Sequence, residues 1–157
     1  MSLLLSAALA AAAAPAPARF DIVEFFAGRT RGDGQLKIIM RSPKAMRVGS
    51  YGEVGPGRVL TLRQTIREEG KAARDRVWVI RQFADGRVAG SLTDAVGPVE
   101  GRVDGDRLAF TYEMKGGYFV RQTLAFAPDR RSAANVMNVS KFGVVIATVT
   151  ETIRKVD

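Results

Sequence analysis

Turn-forming residues divide this chain into short segments that favour β-strands. Glycine and aspartate recur roughly every 8–12 residues, for example at Gly32-Asp33-Gly34, Asp85-Gly86 and Asp104-Gly105-Asp106. The segments between these turns are rich in Val, Ile, Thr, Phe and Tyr, which suit a pleated sheet. Short turns join sequential strands as hairpins. The pattern therefore predicts an all-β protein, a single antiparallel up-and-down barrel of about eight to ten strands.

The predicted elements cover most of the chain. Asp21–Ala27 is expected to form a short N-terminal helix, because Phe20, Val23 and Phe26 recur at helical spacing. A second, short helical piece is predicted at Ser132–Val136. The predicted strands are 29–41, 44–54, 58–68, 74–84, 87–96, 99–104, 107–115, 118–127, 136–141 and 143–154.

Residues 1–18 carry no charged side chain and are predicted to be a signal peptide. The apolar stretch Leu3–Ala14 is shorter than the about 20 residues that a membrane-spanning helix needs, but it fits the apolar core of an export signal. Small residues at Ala16-Pro17-Ala18 place the cleavage after Ala18. Because the chain has no Cys, no lipid can be attached through a cysteine. Residues 19–157 are thus expected to form one soluble, periplasmic domain.

The charge of the chain favours anionic partners. The net charge is +8, and a basic surface attracts anionic membranes, nucleic acid or acidic polymers. The cations are scattered singly or in pairs, and no aromatic residues alternate with them in a nucleic-acid motif. The charge therefore has two interpretations, a face that contacts an anionic membrane surface or a solvated basic face with no partner, and we expect no nucleic acid and a monomeric protein.

Period-two alternation assigns apolar residues to the barrel interior. The predicted inward sets are Leu36/Ile38/Met40, Leu60/Leu62/Ile66, Val88/Leu92/Val96, Leu108/Phe110/Tyr112/Met114, Val120/Leu124/Phe126 and Val145/Val149/Ile153. The stretch Arg76–Arg81 is apolar on both faces, which predicts a strand covered on both sides. Trp78, the only Trp, is expected in the core.

Four polar residues share these apolar faces: Gln64, Asp94, Gln122 and Glu151. A buried polar group costs free energy unless it finds a hydrogen-bond partner. Such residues either line a cavity and hold the polar end of a ligand, or they are structural and bond to loops or to an inward Arg. A pair between Asp94 and Arg76 would satisfy the second alternative.

Several kinds of chemistry lack their usual residues. With no His and no Cys, the chain has no imidazole base, thiol nucleophile or ordinary zinc site. No glycine-rich phosphate loop followed by Lys and Ser or Thr occurs, and Asp104-Gly105-Asp106 lacks the spacing of a calcium loop. We predict no catalytic residue, no metal site and no cofactor.

A series of short motifs resembles one known family. The motifs are Arg76-Val77-Trp78, Asp85-Gly86-Arg87-Val88-Ala89-Gly90, Asp94-Ala95-Val96-Gly97, Asn138 and Lys141-Phe142-Gly143-Val144. In this order they resemble the DUF3833 family of bacterial envelope proteins, from about Phe20 to Arg154. The resemblance implies an envelope location and a calycin- or lipocalin-like barrel, and it implies no particular activity. The chain departs from the family pattern in lacking a lipid-anchor Cys and in carrying Gln64 where an acidic residue is usual.

These observations predict an exported, non-enzymatic barrel that binds or carries a lipid-like small molecule. The predicted ligand-binding residues are Arg76, Trp78, Asp94, Tyr112, Gln122, Asn138 and Lys141. The Lys141 ammonium is expected near the cavity end, where it could meet a carboxylate or phosphate. One alternative is a filled barrel, an envelope-associated binding module for anionic membrane or a protein partner. A second alternative is a small hydrolase or isomerase that uses Asp94 or Glu151.

Overall fold

A computed structural model describes residue 12 and residues 19–157 of the 157-residue chain. Apart from Ala12, the predicted signal peptide lies outside the described residues. Within that part of the chain, no helix has the length and apolar character needed to cross a membrane.

Ten strands and one short helix make up the described domain. The elements are α1 Ile22–Phe26, β1 Gly28–Ile38, β2 Lys44–Gly55, a 3-10 turn Pro56–Arg58, β3 Val59–Glu68, β4 Arg74–Gln82, β5 Arg87–Leu92, β6 Val99–Asp104, β7 Arg107–Met114, β8 Tyr118–Phe126, β9 Ser132–Lys141 and β10 Val144–Lys155. Each strand pairs antiparallel with the next, and β1 pairs with β10 to close the barrel. The predicted all-β, antiparallel up-and-down barrel with a short N-terminal helix is confirmed, and it fits a calycin- or lipocalin-like fold.

Helix α1 covers one end of the barrel, which we call the closed end. Asp21 caps the helix by accepting a hydrogen bond from the Glu24 backbone N–H at 3.0 Å. The Lys155 ammonium donates to the carbonyls of Phe25 and Ala27, both at 2.8 Å, at the C-terminal end of α1. The Ile22 backbone N–H donates to Gln82 Oε1 of β4 at 2.9 Å, so polar bonds hold both ends of α1 to the barrel.

The apolar core lies between α1 and the barrel wall. The alternation predicted for β7 is confirmed, since Leu108, Phe110 and Tyr112 are all buried. Trp78 is 3% exposed and packs near Phe110 and Tyr112, as predicted for a core residue.

Three predicted interior residues lie at the surface instead. Met40 and Val96 come after the last residues of β1 and β5, so the alternation of the strands no longer applies to them. Val145 is 49% exposed because a β-bulge between Val145 and Ala147 reverses the inward face of β10.

Two further predictions are wrong. Residues 132–136 belong to β9, not to a helix, because cross-strand pairing with β8 and β10 overrides the weak local signal. Strand β4 is not covered on both faces, since Val79 is 37% exposed on the outer side.

Candidate functional site

A layer of hydrogen-bonded side chains, which we call the polar belt, crosses the barrel interior above the apolar core. Its members are Ser50, Gln64, Arg76, Trp78, Tyr112, Gln122, Asn135 and Glu151. On one side, Gln64 Oε1 accepts hydrogen bonds from Arg76 Nε at 2.7 Å and from Trp78 Nε1 at 2.8 Å. The Gln64 amide nitrogen donates to Ser50 Oγ at 3.1 Å. One glutamine thus orients both the guanidinium and the indole, which sit on the neighbouring strand β4.

The other side of this polar belt runs across β7 to β10. The Tyr112 hydroxyl donates to Gln122 Oε1 at 3.4 Å, and Gln122 Nε2 donates to Asn135 Oδ1 at 3.1 Å. Asn135 Nδ2 in turn donates to Glu151 Oε2 at 2.8 Å. The chain of bonds ends on a carboxylate, so the donors along it are satisfied.

Burial and the charge of Arg76 govern the electrostatics of the polar belt. Burial raises the pKa of Glu151, while the hydrogen bond from Asn135 and the Arg76 charge oppose that rise. Burial raises the pKa of Tyr112 to about 12. It also lowers the pKa of the Arg76 guanidinium below its usual range. Gly32 makes room for the carboxylate, because a Cβ there would lie 1.7 Å from Glu151 Oε1.

The interior leaves almost no free volume beside the polar belt. The cavity lined by Gln64, Arg76 and Glu151 on one side and by Ile22 and Phe26 of the closed end on the other measures about 30 Å³. That space suits about one water molecule. Sites for small organic molecules measure about 300–1,000 Å³. The polar belt is thus packed as part of the folded interior.

The structure brings four of the seven predicted ligand-binding residues together in the polar belt, namely Arg76, Trp78, Tyr112 and Gln122. Asp94 lies beyond the end of β5, and its side chain is 3.7 Å from Arg74. The expected Asp94–Arg76 pair is therefore replaced by Asp94–Arg74, while Arg76 bonds to Gln64.

The two remaining predicted residues lie toward the end of the barrel opposite α1, which we call the open end. Asn138 accepts a hydrogen bond from Thr148 Oγ1 at 3.0 Å, between β9 and β10. The Lys141 ammonium lies 4.5 Å from the centre of the Tyr118 ring and 5.6 Å from that of Phe142. Neither residue contacts the polar belt by a hydrogen bond within the described part of the chain.

Large apolar side chains project from the open end at two neighbouring hairpins. We call them the tip surface: Ile39 at 53% exposed, Met40 at 97%, Phe142 at 93%, Val144 at 55% and Val145 at 49%. The two hairpins are held side by side, because the Ile39 backbone N–H donates to the Ile146 carbonyl at 2.9 Å. The exposed residues therefore form one apolar surface built from two separate turns.

Two residues of the tip surface adopt a backbone conformation that disfavours them. Met40 has φ of 58° and Phe142 has φ of 50°, in the left-handed region where glycine or asparagine is at ease. A large side chain in this conformation costs stability, of order 1 kcal/mol or more. Neither exposure nor backbone geometry explains why Met and Phe stand at these two positions.

The hairpins of the tip surface carry cations and no carboxylate of their own, and Glu69 of the neighbouring hairpin reaches them, because its Oε2 accepts a hydrogen bond from the Ala45 backbone N–H at 3.2 Å. No Asp or Glu occurs between Asp33 and Glu53, or between Asp129 and Glu151. These two stretches contain the tip surface and the cations beside it, which are Lys37, Arg41, Lys44 and Lys141. An apolar patch with a basic rim is typical of contact with an anionic interface.

Sequence reasoning missed the tip surface and two members of the polar belt, Ser50 and Asn135. Met40 was assigned inward by extending alternation past the end of β1, and Asn135 fell in the segment predicted as helical. The lack of carboxylates in two hairpins was the signal that could have revealed the tip surface. Among the described residues, no group of three or more Asp or Glu side chains is placed to hold a metal ion.

The family model described as a protein of unknown function, DUF3833, matches residues 5–155 of the chain. The chain belongs to the DUF3833 family. The match spans every strand of this DUF3833 barrel, and it confirms the resemblance inferred from the motifs.

Among solved structures, the DUF3833 barrel is similar to a crystal structure of a protein with unknown function from the DUF3598 family of Nostoc punctiforme PCC 73102. The TM-score is 0.63 at 11% identity, and the match covers 85% of this chain and 48% of that one. The chain thus spans about half the length of that protein, and the likeness shows the fold alone. A search of curated proteins finds no match.

Proposed function

We propose that this DUF3833 protein is a non-enzymatic binding module that docks the open end of its barrel on an anionic membrane surface. The observation that carries the proposal is the tip surface, where exposed apolar side chains stand between cations in hairpins that lack carboxylates. The predicted export signal and the family resemblance favour the bacterial envelope as the place where this contact is made.

The energetics favour shallow insertion of the tip surface. Burying a Met or Phe side chain in an apolar phase contributes about 1.5–3 kcal/mol, and Met40 and Phe142 lose almost no protein contact on insertion. Each Lys or Arg beside an anionic leaflet adds about 1 kcal/mol. Apolar insertion and several neighbouring cations together supply the two signals that stable membrane association needs.

The packed interior gives less support to the two other predicted functions. A lipid carrier needs room for an acyl chain, and the cavity beside the polar belt is about 30 Å³. A hydrolase using Glu151 needs room for a substrate at the same place. Asp94 is half-buried and pairs with Arg74, and among the described residues no hydrogen bond joins it to Asn135 or Glu151.

The test is binding to lipid vesicles of defined composition. Wild-type protein should sediment with phosphatidylcholine vesicles that contain phosphatidylglycerol, more weakly with phosphatidylcholine alone, and less as salt is raised. The double variant Met40→Asn, Phe142→Asn should bind about 100-fold more weakly, because two side chains no longer insert. Asparagine tolerates the left-handed conformation, so the fold should persist.

The matched control is Val54→Asn, which removes an apolar side chain that is 46% exposed near the closed end. It should bind vesicles as the wild type does. Equal losses for both variants, or no binding to any vesicle, would contradict the proposal.

A further inference from the structure

A second surface site lies on the outer wall of the barrel, away from the tip surface. A groove of about 720 Å³ runs over β1 to β4, and we call it the outer groove; its defining residues are Arg29, Gly49, Tyr51, Arg63, Thr65 and Arg67. Its volume is in the range of sites that bind small organic molecules. Alternation sends these defining side chains outward, and the same groove also touches the inward residues Ser50, Gln64 and Arg76.

Gly49 opens the floor of the outer groove. It is the outward residue of β2 between Arg47 and Tyr51, and a Cβ added there would meet no atom within 4 Å. Its φ is not in the left-handed region, so the fold does not require glycine. Glycine weakens a strand interior and often marks a place where a ligand approaches the backbone. We therefore attribute the glycine at position 49 to a ligand that approaches the backbone of β2 in the outer groove.

The outer groove holds arginines that the protein does not neutralise. Arg29 and Arg63 are both cross-strand partners of Tyr51, and Arg67 faces Arg47. Like charges that face each other across a ladder are unfavourable. Arg47 is neutralised by Asp33 at 3.0 Å, but within residues 19–157 the guanidinium groups of Arg29, Arg63 and Arg67 make no ion pair.

The remaining polar groups fit an anion with an organic part. Asp75 accepts a hydrogen bond from Thr65 Oγ1 at 2.7 Å, and Asp157 Oδ2 accepts one from the Arg29 backbone N–H at 2.9 Å, so the three outward arginines face two acids. Arginine binds phosphate through two parallel N–H donors. Tyr51 is 47% exposed and offers an aromatic face between Arg29 and Arg63.

We propose that the outer groove binds a small organic phosphate such as a sugar phosphate, with the phosphate on Arg63 and its neighbouring arginines and the organic part over Gly49 against Tyr51. This site is independent of the tip surface. It adds a soluble ligand to a barrel whose open end contacts a membrane.

The experiment is calorimetric titration of full-length protein with glucose 6-phosphate, and with glucose and inorganic phosphate in parallel. Glucose 6-phosphate should bind most tightly, inorganic phosphate more weakly, and glucose not at all. Arg63→Gln should weaken the binding of glucose 6-phosphate by about tenfold or more, since a charge-assisted bond is lost. Arg121→Gln, an equal charge change on the outer face of β8, should leave it unchanged.

Gly49→Leu separates ligand binding from folding. The leucine should fill the floor of the outer groove and abolish detectable binding, while thermal stability stays equal or rises because a glycine leaves a strand. Saturable binding that persists in Gly49→Leu, or equal weakening by Arg63→Gln and Arg121→Gln, would overturn the proposal, as would the absence of any binding in the wild type.

A vesicle arm distinguishes a free ligand from a lipid headgroup. Gly49→Leu should bind phosphatidylglycerol vesicles as the wild type does, while Met40→Asn with Phe142→Asn should keep its affinity for glucose 6-phosphate. Loss of vesicle binding in Gly49→Leu would overturn the assignment of a free ligand. The two proposals can therefore fail separately.

Discussion

The two ends of this barrel hold their apolar side chains in opposite environments, buried at the closed end and exposed at the open end. At the closed end, Phe25 is 2% exposed and packs edge-on against Phe26 and Phe126 at ring distances of 4.8 and 5.1 Å. At the open end, Met40 and Phe142 are almost fully exposed in a disfavoured backbone conformation. Similar apolar side chains thus stabilise the fold at one end and weaken it slightly at the other.

The difference shows which end of the barrel tolerates surface residues that lower the free energy of unfolding. The closed end and the polar belt are densely packed and hydrogen-bonded, so the open end can carry strained, exposed residues without loss of the fold. Substitutions along the barrel axis should therefore have effects on the free energy of unfolding that decline from α1 to the hairpin tips.

The largest difference should appear between the two ends themselves. Phe25→Ala leaves a cavity among aromatic rings and should lower the free energy of unfolding by about 3–5 kcal/mol. Met40→Ala removes a side chain that is 97% exposed and should change it by less than about 0.5 kcal/mol. Urea denaturation of both variants checks this. Comparable losses would show that the tips contribute to the core.

Substitutions in the polar belt should have the second-largest effect on the free energy of unfolding. Gln64→Leu removes the acceptor of Arg76 Nε and Trp78 Nε1 and should lower the free energy of unfolding by about 2–4 kcal/mol, because two inward donors lose their partner. Gln64→Glu keeps an oxygen beside Arg76 and should stay near the wild type. Denaturation followed by the fluorescence of the single Trp78 measures both. A fully stable Gln64→Leu would show that water replaces the glutamine.

The smallest effect should be the pH response of Glu151. Because burial raises its pKa in the folded state, the folded state favours the protonated form. The stability from Glu151 is present below the ordinary carboxyl pKa and is lost as pH rises through the folded pKa. Glu151→Gln should therefore gain stability relative to the wild type between about pH 4 and pH 7.

Asp85→Asn is the control for Glu151→Gln, because the pKa of Asp85 is shifted in the opposite direction. Hydrogen bonds from the Arg87 backbone N–H and guanidinium lower the pKa of Asp85, so its stability is present at neutral pH and lost as pH falls. Asp85→Asn should lose stability relative to the wild type only as pH rises towards about 4, and the difference should stay level between about pH 4 and pH 7. Parallel pH profiles for the two variants would contradict the raised pKa of Glu151.

The architecture was predictable because turns and alternation are local signals. The stripe Leu108, Phe110 and Tyr112 lies inward as predicted, since β7 is regular from end to end. The inward or outward direction predicted from alternation was wrong where a strand is irregular or has ended. Val145 precedes a bulge and Met40 follows a strand end, and neither event has a local signature as strong as a glycine turn.

The candidate sites were harder to predict because they join distant segments. Gln64 and Glu151 were recognisable as polar residues on apolar faces, but their partners Arg76 and Asn135 depend on register between strands. The tip surface depends on the pairing of β1 with β10, which brings residues near 39 and 146 together. No local pattern in the β1–β2 hairpin or the β9–β10 hairpin predicts that the two lie side by side.

The pairing of β1 with β10 also sets a condition on how the protein reaches its native state. The hydrogen bond from Arg29 to Asp157 spans 128 positions, and the ladder beside it closes the ring. Until β10 has been synthesised, β1 has an unpaired edge, and such high contact order slows folding and invites aggregation. A nascent polypeptide with this topology can close its ring only after its last strand has been synthesised.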